Sequence, residues 1–323
     1  MADASSFQSR KSGTAMTTRK IVIGGVLVIT GVPVVLLLIA AVSISVLNRT
    51  NGTIVSSGRQ REYLLYVPRS YDRAKPTPLV ISMHAAALWP AAQMTTSQWN
   101  KLADQHGFIV VYPAGGFGKL AKAWVVKSDA GRMAEVRFIS ELIDTLAAAY
   151  NIDPTRIYAN GLSNGGAMAF VLSCTLSHRI AAVGTVAAAQ ELPWSWCADN
   201  RPVPMIAFHG TADPLVPYNG GLSPTHLSPV SFPSVRIWTA NWARRNRCGA
   251  NPVESVVAAD VSRVEYTNCA EDAAVVLYTV QGGGHAWPGG KPLPEWLVGP
   301  TSRNIDASSQ MWAFFREHPL LRK

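Results

Sequence analysis

Charged side chains are scarce in this chain, and their scarcity excludes several classes of protein. Only 15% of the 323 residues are Asp, Glu, Lys or Arg, whereas 48% are apolar. Disordered chains and the charged tails that bind nucleic acids have the opposite balance. The net charge is +9, but the basic residues are scattered and no run of five like charges occurs. The sequence therefore predicts a folded protein that does not bind nucleic acid.

Cysteine is also infrequent, and its four residues are not spaced as metal ligands. No CxxC motif and no Cys/His cluster occurs, so we expect no zinc site. Cys174 and Cys197 form one sequential pair, and Cys248 and Cys269 form the next. Four cysteines allow three pairings, of which the two sequential disulfides are the simplest, and buried free thiols are the alternative. Paired cysteines would agree with export to an oxidising compartment.

The apolar excess is concentrated near the amino terminus. Positions 21–47 contain no charged residue, and a helix of that length exceeds the roughly 30 Å hydrocarbon core of a bilayer. A helix buried in a soluble core would have a polar face, and this run has none. It is therefore predicted to be a transmembrane signal-anchor or, alternatively, a long signal peptide. Arg19 and Lys20 directly precede it and favour an inside amino terminus.

This run divides the chain into four predicted parts. Residues 1–20 form a basic cytoplasmic segment, residues 21–47 the membrane or signal segment, and residues 48–58 a polar linker. Residues 59–323 contain no second linker and no repeat, and their length suits one large α/β domain outside the cytoplasm.

Short β-rich runs alternate with helical patterns throughout this domain. The predicted strands are Glu62–Val67, Leu79–His84, Phe108–Tyr112, Arg156–Asn160, Ala182–Val186, Met205–His209 and Ala274–Val280. The clearest predicted helices are Met133–Tyr150 and Ala307–Glu317. Strands separated by helices indicate a mostly parallel sheet covered on both faces, which places functional sites at the carboxyl ends of the strands.

One of these strand ends carries a G-x-S-x-G motif, Gly161-Leu162-Ser163-Asn164-Gly165. It follows the strand Arg156–Asn160 and precedes a helical pattern at Gly166–Leu176, which is the setting of a nucleophile elbow. The positive end of that helix would favour developing negative charge. Ser163 is therefore the predicted nucleophile, and a glycine-rich structural turn is the alternative.

A serine nucleophile needs a base and an acid that orients the base. Asp213 follows the strand Met205–His209, and His285 follows the strand Ala274–Val280. The order Ser, Asp, His is the one found in α/β-hydrolases, so these two residues complete the predicted triad. The remaining histidines are less suitable as the base: His84, His106, His178, His209, His226 and His318.

Together with the sequence around them, these residues resemble the secreted esterase family that includes polyhydroxybutyrate depolymerases and feruloyl esterases. The resemblance extends from about Arg61 to Pro319 and rests on ordered blocks. They are EYLLYVPRSYD, PLVISMH, NKLADQHGFIVVYP, YNIDPTRIYANGLSNGGAMAF, FHGTADPLVPYNGG, VVLYTVQGGGHAWPGG and DASSQMWAFFREHP. It implies an α/β-hydrolase fold, the same three catalytic residues, and both sequential disulfides.

The sequence departs from the family pattern beside the predicted site. Where the family has His-Gly-Cys this chain has His84-Ala85-Ala86, and it lacks the usual Cys before Trp124 and the usual Asp before Val136. The predicted oxyanion hole consists of the backbone N–H groups of Asn164 and Ala86. Trp287 and Trp124 are predicted to contact substrate, although a tryptophan in the core is an alternative for each.

These observations predict an extracytoplasmic serine esterase, secreted or membrane-anchored, that needs no cofactor. Its substrates would be polyhydroxyalkanoate, feruloyl or acetyl-polysaccharide esters. The alternatives are an acyltransferase of the same fold acting on cell-envelope lipids or sugars, a peptidase of the same fold, and an envelope-anchored binding protein without activity.

Overall fold

The computed structural model describes residues 48–116, 118, 121–189, 192–197, 201–223 and 230–321. The predicted cytoplasmic segment, residues 1–20, and the predicted membrane or signal segment, residues 21–47, lie outside these ranges. Within the described ranges, no helix has the length and apolar character needed to cross a membrane.

The described residues alternate strands and helices in the predicted manner. The strands are β1 (Gly52–Ser56), β2 (Arg59–Tyr66), β3 (Thr77–Met83), β4 (Ile109–Pro113), β5 (Ile152–Leu162), β6 (Ala182–Val186), β7 (Met205–Gly210), β8 (Gly221–Leu222), β9 (Ser231–Phe232), β10 (Val253–Ala258), β11 (Val261–Tyr266) and β12 (Val275–Val280). The helices are α1 (Pro90–Ser97), α2 (Trp99–His106), α3 (Asp129–Ala149), α4 (Asn164–Thr175), α5 (Val235–Arg245), α6 (Glu295–Val298) and α7 (Ala307–Glu317), with 3-10 turns at Trp194–Cys197 and Ala270–Asp272.

One large sheet organises the molecule, with the strand order β1-β2-β4-β3-β5-β6-β7-β12-β11-β10. Neighbouring strands from β4 through β12 in this order are parallel, and an antiparallel hairpin extends the sheet at each edge. The parallel strands read as continuous apolar runs because both of their faces are buried. This arrangement confirms the predicted α/β class with a mostly parallel central sheet.

Two apolar cores lie on opposite faces of the sheet. Side chains of α3, α4 and α5 pack on one face, and side chains of α2 and α7 pack on the other. On the second face, the Trp312 ring lies 4.1 Å from that of Phe108, and the Phe315 ring stacks 4.8 Å from that of Tyr158. This packing holds the parallel strands rigidly, so their carboxyl ends form a fixed platform for loops.

The segment predicted to be a linker, residues 48–58, is instead partly a strand. Residues 52–56 pair antiparallel with β2 through a tight turn at Ser57 and Gly58, both of which have positive φ. The prediction is therefore wrong for these residues. The polar composition of the segment obscured the β-branched run Thr53-Ile54-Val55, which is well suited to an edge strand.

The two sequential disulfides predicted from the family resemblance are both present. Cys174 at the end of α4 is bonded to Cys197, and Cys248 after α5 is bonded to Cys269. The first disulfide fastens the loop after β6 to the helix that follows the G-x-S-x-G motif. The second closes the base of the β10–β11 hairpin.

Candidate active site

Ser163 occupies the sharp turn between β5 and α4. Its φ is 53° and its ψ is −116°, a strained conformation for a residue with a side chain. Glycine is required on either side: a Cβ at Gly161 would overlap the backbone of Gly165, and one at Gly165 would overlap the backbone of Met83. Ser163 itself is only half-buried. The turn therefore has the geometry of a nucleophile elbow.

Asp213 lies three residues beyond the end of β7 and is held by its own loop. Its Oδ1 accepts hydrogen bonds of 2.8 Å from the backbone N–H groups of Leu215 and Val216. The Asp213 side chain is fully buried. Its carboxylate is consequently fixed in direction, with Oδ2 left to face the neighbouring loop.

His285 lies on that neighbouring loop, which follows β12. Its Nδ1 lies 2.8 Å from Oδ2 and 3.1 Å from Oδ1 of Asp213. Since a carboxylate only accepts, Nδ1 carries the proton and donates it. The two loops are also joined directly, because the Ala212 N–H donates to the Gly283 carbonyl over 2.9 Å. Asp213 and His285 are thus brought together as an oriented pair.

Burial and hydrogen bonding act in opposite directions on the pKa of Asp213. Burial raises this pKa, while hydrogen bonds and charge from His209 and His285 lower it, and the net result lies well below the usual range. The carboxylate therefore remains ionised at neutral pH. An ionised Asp213 keeps the His285 imidazole in the tautomer whose Nε2 is free to accept a proton.

The predicted oxyanion donors follow the carboxyl ends of two neighbouring parallel strands, β5 and β3. Asn164 is the first residue of α4, and Ala86 is an exposed residue in the loop after β3. Within the described part of the chain, neither backbone N–H donates to a protein acceptor. Both groups are therefore free to bind an anion, and their role stays a prediction.

A family model matches the part of the chain that contains the nucleophile elbow. Residues 61–190, which include the elbow and the loop after β3, match the model of the esterase PHB depolymerase family. This part of the chain is therefore similar to esterase PHB depolymerases. The matched residues contain Ser163, and Asp213 and His285 lie on loops that follow later strands of the same sheet.

Individual proteins that are similar to this chain are esterases by name. Feruloyl esterase B of Piromyces equi is 32% identical over 239 residues, which are 72% of this chain and 44% of that protein. The putative esterase NocK of Nocardia uniformis subsp. tsuyamanensis is 29% identical over 275 residues, 79% of each chain. This chain thus spans less than half the length of feruloyl esterase B.

A solved structure confirms the predicted fold of the chain. Acetyl xylan esterase from Aspergillus awamori superposes with a TM-score of 0.59 at 15% identity, covering 82% of this chain and 98% of that one. The fold is therefore the α/β-hydrolase fold, as the sequence predicts.

The predicted substrate contacts of two tryptophans do not agree with their burial. Trp124 is 3% exposed and Trp287 is 1% exposed. Their indole N–H groups are occupied, donating to the His84 carbonyl over 3.1 Å and to Ser308 Oγ over 3.0 Å. Both side chains belong to the packed interior, which corrects that prediction.

A different tryptophan is exposed on a helix that is bonded to the His285 loop. Trp296 in α6 is 86% exposed, and the carbonyl of Val298 in the same helix accepts a hydrogen bond from the His285 N–H.

His209, which the sequence predicts to be less suitable as the base, lies beside the Asp213 carboxylate. His209, at the end of β7, places Nε2 2.9 Å from the Val216 carbonyl and 3.3 Å from Asp213 Oδ2. Its ring is buried, as expected for a structural residue. The spacing His209 to Asp213 was visible in the sequence, but the fold of the 213–216 turn was not.

One cavity lies at the opposite end of the sheet from the predicted triad. It encloses about 680 Å³ and is lined by residues such as Ser70, Thr77 and Arg156. Thr77 begins β3 and Arg156 lies in the first half of β5, so the cavity opens at the amino ends of strands whose carboxyl ends support the elbow.

His84, which precedes the predicted oxyanion loop, is buried in its neutral form. Its Nδ1 donates to the Ala85 carbonyl over 2.8 Å, and its Nε2 accepts from the Gly115 N–H over 3.0 Å. Burial, assisted by the charge of Lys122, lowers the pKa of His84 to about 4, although the bond to the Ala85 carbonyl opposes the shift.

This depressed pKa predicts a pH dependence of stability. The unfolded chain takes up a proton on His84 near pH 6.5, whereas the folded protein does so only near pH 4. We expect the free energy of unfolding to fall by about 3 kcal/mol on acidification across this window. Urea unfolding at pH 7 and pH 4.5 would measure the slope, which should be reduced in His84→Gln. An equal slope in both proteins would contradict the assignment.

Proposed function

We propose that the protein is an extracytoplasmic serine esterase that hydrolyses carboxylic esters through an acyl-enzyme on Ser163. The observation that carries the proposal is the 2.8 Å bond between His285 Nδ1 and Asp213 Oδ2, on loops of the same sheet whose strand β5 ends in the elbow at Ser163. The esterase relatives support the same reaction class. By analogy with those relatives, the proposed substrates are feruloyl, acetyl-polysaccharide or polyhydroxyalkanoate esters.

In the proposed reaction, Ser163 Oγ attacks the ester carbonyl while its proton moves to His285 Nε2. The tetrahedral oxyanion is bound by the N–H groups of Asn164 and Ala86. When it collapses, the alcohol leaves with the proton from His285. A water molecule then attacks the acyl-enzyme, returns a proton through His285, and releases the acid and free Ser163.

The place of action is proposed on separate grounds. Two disulfides in the esterase domain suit an oxidising compartment, and residues 21–47 have the composition of an anchor or a long signal peptide. We propose that this segment carries the domain out of the cytoplasm, with residues 1–20 remaining inside if it is an anchor.

An ester panel tests the proposed activity. We expect the purified protein to hydrolyse nitrophenyl esters of graded acyl length, methyl ferulate, acetylated xylan or hydroxybutyrate oligomers, with kcat/KM identifying the preferred acid. Added alcohol acceptor should leave the acid as the main product. Formation of mainly the transferred ester would establish the acyltransferase instead. No turnover of any ester, at any acyl length, would contradict both enzymes.

A further inference from the structure

The side chain of Asn164 is paired with the backbone of a distant segment. Its Oδ1 accepts a 2.7 Å hydrogen bond from the Trp124 N–H, and its Nδ2 donates over 3.1 Å to the Trp124 carbonyl. Both polar groups of the amide therefore bond to the backbone N–H and carbonyl of one residue, in the way that a paired β-strand would. It fastens the start of α4, directly after Ser163, to the loop that precedes α3.

Trp124 and its neighbour in turn hold the loop after β3. The Trp124 indole N–H donates to the His84 carbonyl over 3.1 Å. The Lys122 carbonyl accepts from the Ala87 N–H over 2.9 Å. The loop that contains Ala86 is therefore held by a hydrogen bond on each side of that residue. Both bonds come from the segment around Trp124, which the Asn164 side chain binds.

We propose that the Asn164 side chain is a positioning residue that sets the distance between the two oxyanion donors. Its backbone N–H is the first donor, and its amide fixes the segment that carries the second donor, the N–H of Ala86. This inference rests on the proposed esterase function. A single residue after the nucleophile would then define both halves of the oxyanion hole.

Backbone strain in the loop after β3 explains why such hydrogen bonds are needed. Ala87 adopts a positive φ of 61°, a conformation that is strained for a residue with a side chain. External hydrogen bonds to His84 and Ala87 offset this local strain. The two hydrogen bonds between the Asn164 amide and Trp124 act as a clamp on this loop. Removing the clamp should therefore release the loop without unfolding the sheet beneath it.

The test removes the clamp while keeping the first donor. Asn164→Ala retains the backbone N–H, and we expect kcat to fall 10- to 100-fold with KM changed less than about threefold, since an oxyanion forms only in the transition state. Asn164→Ser, whose hydroxyl cannot span both bonds, should behave alike. Trp124→Phe removes the bond to His84 and completes a double-mutant cycle with Asn164→Ala. We expect the fold decrease in kcat of the double variant to be much smaller than the product of the fold decreases of the two single variants.

The chain supplies a matched control for this experiment. Asn51 makes the same two-point contact with the backbone of Leu65, over 2.7 and 2.9 Å, at the outer edge of the sheet. Asn51→Ala should lose a similar amount of stability and keep the wild-type kcat. A wild-type kcat in both Asn164 variants, or a matching fall in Asn51→Ala, would overturn the inference. Failure of the wild type on every ester would instead refute the proposed function.

Discussion

Replacing Ser163 with alanine is expected to lower kcat by a factor on the order of 10⁶, with KM little changed. The hydroxyl is the atom that forms the acyl-enzyme, so its loss leaves only substrate binding and the oxyanion donors to accelerate the reaction. Removal of a group that acts only during bond formation affects kcat rather than ground-state binding. Steady-state hydrolysis of the best ester from the panel would measure the loss.

The folded state of this variant should resemble that of the wild type. Within the described residues the Ser163 hydroxyl makes no hydrogen bond, so its removal breaks no contact there, although alanine retains the positive φ of the elbow. Ser70→Ala, at the remote cavity, is the matched control and should keep full activity. Residual hydrolysis above about 1% in Ser163→Ala would mean that another nucleophile is used.

Replacing Asp213 with asparagine is expected to lower kcat by a factor on the order of 10⁴. The asparagine oxygen can still accept from Leu215 and Val216, and its NH₂ group then faces His285 Nδ1. Because an N–H cannot accept, the imidazole must present an unprotonated Nδ1 and place its proton on Nε2. The base would then be blocked at the nitrogen that should accept the serine proton. Single-turnover acylation would measure the loss directly.

The stability of the same variant should depend on pH in a defined direction. The pKa of Asp213 is lowered by folding, so the ionised carboxylate contributes stability above its unfolded pKa near 4. That contribution is lost as the pH falls toward the lower folded pKa. Asp213→Asn should therefore be less stable than wild type at pH 7, with the difference shrinking below pH 4. A difference that is constant from pH 7 to pH 3 would contradict the ionised, hydrogen-bonded carboxylate.

The parts of the site that the sequence predicts are those governed by local order along the chain. Asp213 and His285 each follow an apolar run, and parallel strands bring the carboxyl ends of such runs to one edge. The G-x-S-x-G motif specifies its own turn, because its glycines allow close backbone contact. Position after a strand was therefore enough to anticipate that the loops of β7 and β12 would meet.

Features that depend on long-range packing were not predictable in the same way. Trp287 stands two residues from His285, yet its ring turns into the core toward Ser308, 21 residues further along the chain. The pairing of Asn164 with Trp124 joins positions 40 apart. The edge hairpin β10–β11 was missed because every side chain of Val253–Val257 is exposed, which removes the alternation that identifies strands.

The most direct test of the account is the reaction of the protein with a fluorophosphonate, followed by mass spectrometry of its peptides. We predict one adduct per chain, on Ser163, absent in Ser163→Ala and formed at least about 10³-fold more slowly in His285→Ala, since the base must remove the hydroxyl proton. An adduct on a different residue, or equal rates in wild type and His285→Ala, would show that Ser163 and His285 do not work together.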